Sequence, residues 1–324
     1  MLTYILKRAI FMVPMLLGIT IISFLIIHLP PGEPGALGME MNPKVTKEVR
    51  ERIRALYDLD KPLPVQYYLW LKRFVKLDFG RSFSSDRRLV IDKITERLPI
   101  TISLNLLALM FELAFGIPIG VYCARYKGSL LDKGLTAFVF AGFAIPTFWL
   151  ALLCMLLFGV YLDLLPITGL KSFNFSELTV FGKIADLARH LVLPVLISAI
   201  GGLAGMSRFM KSSLLEVLRQ DYITTAYAKG LPEGMILRKH AVRNALLSVI
   251  TLLGMAVPGL IGGSVIFETI FGIPGMGQLF YMSVMSRDFP VIMGILVIGA
   301  FLTLVGNLLA DIALAVADPR IRLG

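Results

Sequence analysis

Glu112 is the one ionisable side chain deep in an apolar stretch of this chain, about half-way along residues 98–124. A charge at that depth in hydrocarbon costs roughly 2.5–3.5 kcal/mol or more, so the carboxylate must face a polar cavity or a partner group. Two roles stay open for it: contact with a cationic group of something that crosses, or a structural bond to a neighbouring helix or second subunit. The other conspicuous stretch is 221–247, DYITTAYAKGLPEGMILRKHAVRNALL, polar and basic between two apolar runs. It reads as helix, break, helix: a run ending near Lys229, then Gly230 and Pro232, then an amphipathic run to Arg243. A folded helical pair in such a loop is a surface that another protein can grip. Catalytic signatures are missing from the sequence. There is no GxxxxGK[ST], HExxH or GxSxG, and His28, His190 and His240 lie far apart. Cys123 and Cys154 sit in apolar runs without metal spacing and read as small apolar fillers.

The elements that position these residues follow from composition. Of 324 residues 56% are hydrophobic and only 17% charged, and the mean hydropathy is +0.78. That excludes an ordinary soluble core and requires a membrane class. The formal charge of +10 is dispersed between apolar runs, which is the pattern of membrane loops and excludes nucleic acid as a partner. Six runs are long enough to span: 9–29, 98–124, 134–162, 190–207, 244–267 and 289–310. In lipid they must be helices, because backbone polar groups have no water to bond. Pro14, Pro118, Pro146, Pro194 and Pro258 lie inside them and predict kinks. The first run is too long for a signal-peptide core and is followed by PPGEPG, so a retained helix is expected.

Among the short loops, Lys and Arg are concentrated at the N-terminus, after the second run, in 208–243 and in the tail, while 163–189 and 268–288 hold only Lys171, Lys183, Arg189 and Arg287. The segment 30–97 is basic too, but its 68 residues exceed the length over which charge controls topology. Both termini are therefore expected in the cytoplasm. The segment 30–97 is then external. Val45, Val49, Ile53, Leu56 and Tyr57 predict an amphipathic surface helix over 43–59, and Tyr67, Leu71 and Phe74 predict another over 66–77. The expected organisation is 1–29 as tail and first span, 30–97 as external segment, and 98–324 as a five-helix core carrying the cytoplasmic loop 208–243. GxxxG pairs at Gly116/Gly120, Gly201/Gly205 and Gly259/Gly263 predict closely packed helices.

The 221–247 stretch resembles the cytoplasmic motif of bacterial ABC-importer membrane subunits, the binding-protein-dependent permeases. Thr224, Thr225 and Ala226, three residues, then Gly230 stand where that family reads EAA, three residues, Gly, so Ala226 and Gly230 match strictly. DYITTAYAKGL and HAVRNAL are similar to the peptide-importer branch. So are KRAIFMVPMLLGITIISF with LPPGEP, DFGRSF, GIPIG, SSLLEVL, FETIFGIPGMGQL, SRDFPVIMG and ADPRIR. The resemblance covers nearly the full length and points to the first of two related membrane subunits of a dipeptide or oligopeptide importer. Nickel-chelate and glutathione importers belong to the same branch and stay open as alternatives.

The resemblance implies an all-α polytopic fold of the ABC importer type I permease kind, in the bacterial cytoplasmic (inner) membrane. It implies a second homologous permease, two cytoplasmic ATPase subunits that hold ATP and Mg, and an extracytoplasmic peptide-binding protein. No cofactor is expected in this chain. Asp221, Thr224, Thr225, Ala226, Lys229 and Gly230 would form the helix that docks on an ATPase. Glu112 is a candidate for the substrate pathway from its depth in the second run alone, with the structural role still open. A stand-alone secondary transporter or channel would need several intramembrane carboxylates or an ion site of its own, and one Glu in six spans argues against it.

Overall fold

The computed structural model describes residues 2–29, 58 and 60–317. The helix expected over 43–59 lies outside the described residues. The helices are α1 Leu2–His28, α2 Leu63–Phe74, α3 Val90–Arg125, α4 Leu130–Ala144, α5 Thr147–Cys154, α6 Val180–Val217, α7 Asp221–Ala228, α8 Arg243–Ala256, α9 Val265–Ile270, α10 Met276–Met285 and α11 Phe289–Ala317. Only an isolated antiparallel bridge, Arg81 to Leu89, interrupts the all-α character of the described residues.

Four of these helices are long and apolar enough to cross a membrane: Tyr4–His28, Val90–Arg125, Val180–Val217 and Phe289–Ile312. Two bent pairs bring the total to six if each pair counts as one span. The first pair, Leu130–Ala144 with Thr147–Tyr161, bends by 95° at Ile145–Pro146. Ile145 is extended (φ −80°, ψ 128°), because the residue before a proline is pushed out of the helical region. The second pair, Glu233–Gly254 with Val257–Ile270, bends by 51° through a 3₁₀ turn at Val257–Leu260 that contains Pro258. By contrast, α1 and α6 run on through Pro14 and Pro194. α3 and α6 have 36 and 38 residues, about 54–57 Å at 1.5 Å per residue, so both continue past a hydrocarbon core of about 30 Å. Each begins eight to ten residues before its apolar run (90 against 98, 180 against 190). Charged residues end a hydropathy run, but they do not end a helix.

The chain divides into two compact units. One comprises 1–101, 261–265 and 274–305. Its core packs Phe24 and Ile27 of α1, and Ile292, Met293 and Val297 of α11, against Tyr67, Trp70 and Phe74 of α2. α2 starts at Leu63, earlier than its apolar period suggested, because Pro62 and Pro64 preset the first turn. In the same unit DFGRSF meets SRDFP. The Asp288 carboxylate, 2% exposed, accepts from the Ser82 hydroxyl and from the Phe83 N–H at 3.0 Å. Lys93 Nζ then reaches Ser82 Oγ at 2.9 Å, Ser84 Oγ at 2.7 Å and Asp86 Oδ1 at 2.9 Å. Burial pushes the Asp86 carboxyl upward, but the Ser84 hydroxyl, Lys93 and the Arg88 N–H outweigh it and hold the pKa at about 2.

The other unit comprises 102–260, 266–273 and 306–324. Its core is built from Ala124 of α3, Met206, Met210 and Leu214 of α6, Ile223 and Ala226 of α7, and Ile236, Ala241, Ala245 and Val249 before and along α8. The interval from Ile236 to Ala241 is five residues rather than four, and the backbone there is a π-helix, Ile236–Val242. The wider turn returns both side chains to the core face. Gly116 and Gly120 let α3 close on α6: a Cβ at Gly120 would stand 2.6 Å from both Met210 Cβ and the Ser207 carbonyl oxygen. Gly201, Gly205 and Gly259 meet nothing within 4 Å, so of the GxxxG pairs only the first has both glycines at a close approach within the described chain.

Candidate functional site

α7 is eight residues long and is held at both ends by local chemistry. Asp221 stands in its first turn, where a carboxylate complements the positive end of the helix dipole. At its other end the Gly230 N–H donates to Tyr227 O at 2.9 Å and the Leu231 N–H donates to Ala226 O at 3.3 Å. That pair of bonds is the Schellman stop, and it requires a left-handed residue at Gly230, whose φ is +73°. Leu231 packs on the core cluster that includes Ala226, and Pro232 prevents the helix from resuming in register.

The helix buries two residues three apart, Ile223 at 1% and Ala226 at 6% exposure. Asp221, Tyr222, Thr224, Thr225, Tyr227, Ala228, Lys229 and Gly230 are exposed. The structure thus gathers Asp221, Thr224, Thr225, Lys229 and Gly230 on one exposed surface and turns Ala226 inward as an anchor. Thr225 Oγ1 bonds Asp221 O at 2.9 Å, and the Tyr222 hydroxyl accepts from Asn244 Nδ2 at 3.1 Å, which ties α7 to the first turn of α8. An exposed ion pair, Arg125 to Glu233 at 3.3 Å, joins the end of α3 to the second half of the loop and adds little stability by itself. A short helix rooted in the core between α6 and α8 can carry a push from outside into both.

Glu112 is not part of that surface. It lies half-buried on α3 directly over Gly202 of α6, where a Cβ on the glycine would overlap the carboxylate. Among the described residues no hydrogen bond or ion pair reaches it. Other carboxylates are more deeply buried than Glu112, and charge counting within apolar runs missed them: Glu268 (1% exposed), Asp288 (2%) and Asp132 (5%). Asp132 was legible as Ser129-x-x-Asp132 at a helix start. Ser129 Oγ accepts from the Asp132 N–H at 3.1 Å, while the Asp132 carboxylate takes the Gly128 N–H at 2.9 Å and Lys211 Nζ at 2.5 Å.

Residues 116–323 match the family described as "Binding-protein-dependent transport system inner membrane component", and residues 1–105 match the description of its N-terminal part. The chain belongs to this family. It is therefore a permease subunit and a multi-pass inner-membrane protein. It is 44% identical over 321 residues to the oligopeptide transport system permease protein AppB of Bacillus subtilis, with 99% of each chain covered. It is 41% identical over 320 residues to a putative peptide transport system permease protein of Brucella abortus, with 98% of each covered. Among solved structures, a chain of the MetNI methionine ABC transporter in an inward-facing conformation matches with a TM-score of 0.50 and 16% identity, over 69% of this chain and 97% of that one. That likeness supports the permease fold alone.

Proposed function

We propose that this permease forms the membrane passage of an ATP-driven peptide importer and that residues 221–243 receive the power stroke. The observation that carries the proposal is the outward face of α7: a rigid, capped helix with Asp221, Thr224, Thr225, Lys229 and Gly230 exposed and only Ile223 and Ala226 buried. Peptide as substrate is supported by relatives that are named as oligopeptide or peptide permeases over essentially the whole chain. The partners are a second homologous permease, two cytoplasmic ATPases that bind ATP and Mg, and an extracytoplasmic binding protein that delivers substrate. ATP-driven closure of the ATPases moves the coupling segment, α6 and α8 follow, and the passage opens outward.

The coupling surface then faces the cytoplasm, with both termini on that side. In a cysteine-free background, a cysteine at the fully exposed Phe173 is expected to react with an impermeant thiol reagent applied to intact cells lacking an outer-membrane barrier. A cysteine at Lys127 is not. The converse labelling overturns the orientation. Uptake of radiolabelled oligopeptide by vesicles containing the whole complex and its binding protein tests the substrate. ATP-dependent uptake of a nickel chelate or glutathione with no uptake of peptide overturns that assignment.

A further inference from the structure

A groove of about 440 Å³ opens between α3, α4 and α6, near the C-terminal end of α6 that leads into the coupling segment. Its walls are apolar, with Ile119, Leu135, Val139 and Phe140 among them, and the Arg208 and Lys211 side chains also line it. Lys211 commits one of its three N–H groups to the buried Asp132 carboxylate. Asp132 is also satisfied by the Gly128 N–H at 2.9 Å and by Thr136 Oγ1 at 3.3 Å, so it does not neutralise Arg208 as well. Arg208 is exposed and makes no hydrogen bond or ion pair among the described residues. The groove therefore joins an apolar wall to an uncompensated guanidinium and the spare donors of an ammonium.

We infer that this groove holds an anionic phospholipid, with its phosphate on Arg208 and Lys211 and its acyl chain along Leu135, Val139 and Phe140. A soluble anion would leave the apolar wall unused, and a zwitterionic lipid would bring a cationic headgroup beside Arg208 and Lys211 along with its phosphate. Basic pockets between membrane helices on the cytoplasmic side take anionic headgroups for the same reason. The placement in the cytoplasmic leaflet rests on the orientation proposed above, whereas the lipid chemistry does not. Because α6 continues within a few residues into α7, the lipid bears on the helix that sets the coupling segment.

The test uses the whole importer complex, purified and reconstituted in nanodiscs of phosphatidylcholine with or without phosphatidylglycerol, then washed in detergent. Retained lipid is counted by mass spectrometry. Wild type is expected to retain phosphatidylglycerol over phosphatidylcholine. Arg208→Gln is expected to lower that retention about fivefold, the loss of about 1 kcal/mol for one basic residue at a membrane surface. Leu135→Trp, which keeps the charge but fills the groove, is expected to lower it as well, and Lys127→Gln, outside the groove, to leave it unchanged. Equal phosphatidylglycerol retention by wild type, Arg208→Gln and Leu135→Trp overturns the inference. So does efficient cross-linking of a Phe140→Cys variant to the second permease, which would show that protein rather than lipid covers the groove.

Discussion

Substitution of Gly230 separates the helix stop from the proposed docking surface. Its φ of +73° costs a residue with a Cβ about 1–2 kcal/mol, while an added Cβ meets nothing within 4 Å, so backbone strain is the whole intramolecular penalty for alanine. Asparagine tolerates the left-handed region and pays less. Aspartate shares that tolerance but adds about 0.3–1 kcal/mol of repulsion at the negative end of the helix, for a total of at most about 3 kcal/mol. Burial of the Ile223 side chain alone stabilises the helix by about 1.5–3 kcal/mol, with Ala226 and the flanking core in addition. The complex therefore assembles in every case. The expected order of peptide uptake per ATP hydrolysed, in vesicles containing the full complex, is wild type, then Gly230→Asn, then Gly230→Ala, with Gly230→Asp uncoupled. Normal uptake by Gly230→Asp, or a Gly230→Asn variant as defective as Gly230→Asp, would show that this helix stop does not govern coupling.

Gly120→Ala is expected to destabilise the permease by about 1–3 kcal/mol through overpacking, read as a lower melting temperature of the detergent-solubilised complex, while Gly201→Ala has little effect on this chain's own packing. Asp288→Ala strips the Ser82 hydroxyl and the Phe83 N–H of a charged acceptor and is expected to cost about 3 kcal/mol, with proteolysis of the loop between α2 and α3 as the readout. The folded-state pKa of Asp86, about 2, lies below its ordinary 3.8. Its stabilising contribution is thus complete above about pH 4 and is lost as the pH falls through about 2; Asp86→Asn is expected to remove that part of the acid dependence of thermal unfolding. Glu112→Gln keeps shape and hydrogen-bonding capacity. If the carboxylate serves the passage, uptake normalised to assembled complex falls while the melting temperature holds, and the opposite pattern assigns it to assembly.

Much of this architecture was legible because a membrane restricts the choices. Uncharged runs of about twenty residues must be helices, and Gly230 followed by Pro232 marks where α7 stops. Helix ends beyond the apolar runs were not legible from hydropathy: Asp92, Lys93, Glu96 and Arg97 sit on α3 ahead of its apolar run. The five-residue interval between Ile236 and Ala241 was hidden because a π turn has no composition of its own. The join between DFGRSF and SRDFP was hidden for another reason: it is a contact across some two hundred residues between short polar stretches. Asp221, Thr224, Thr225 and Lys229 were readable as a polar helix. That Ile223 and Ala226 would be its buried pair depended on the partners it packs against.

The proposed grip of an ATPase subunit on α7 is open to direct test. In a cysteine-free complex, single cysteines at Thr224 or Lys229, paired with single cysteines scanned along the membrane-facing surface of the ATPase, are oxidised and the cross-linked product is quantified with and without ATP. High-yield permease–ATPase cross-links are expected from both positions, with yields that change on ATP binding, and none from a cysteine at Phe173. Absence of any such cross-link from Thr224 and Lys229 in both nucleotide states, in a complex that still transports, would contradict it.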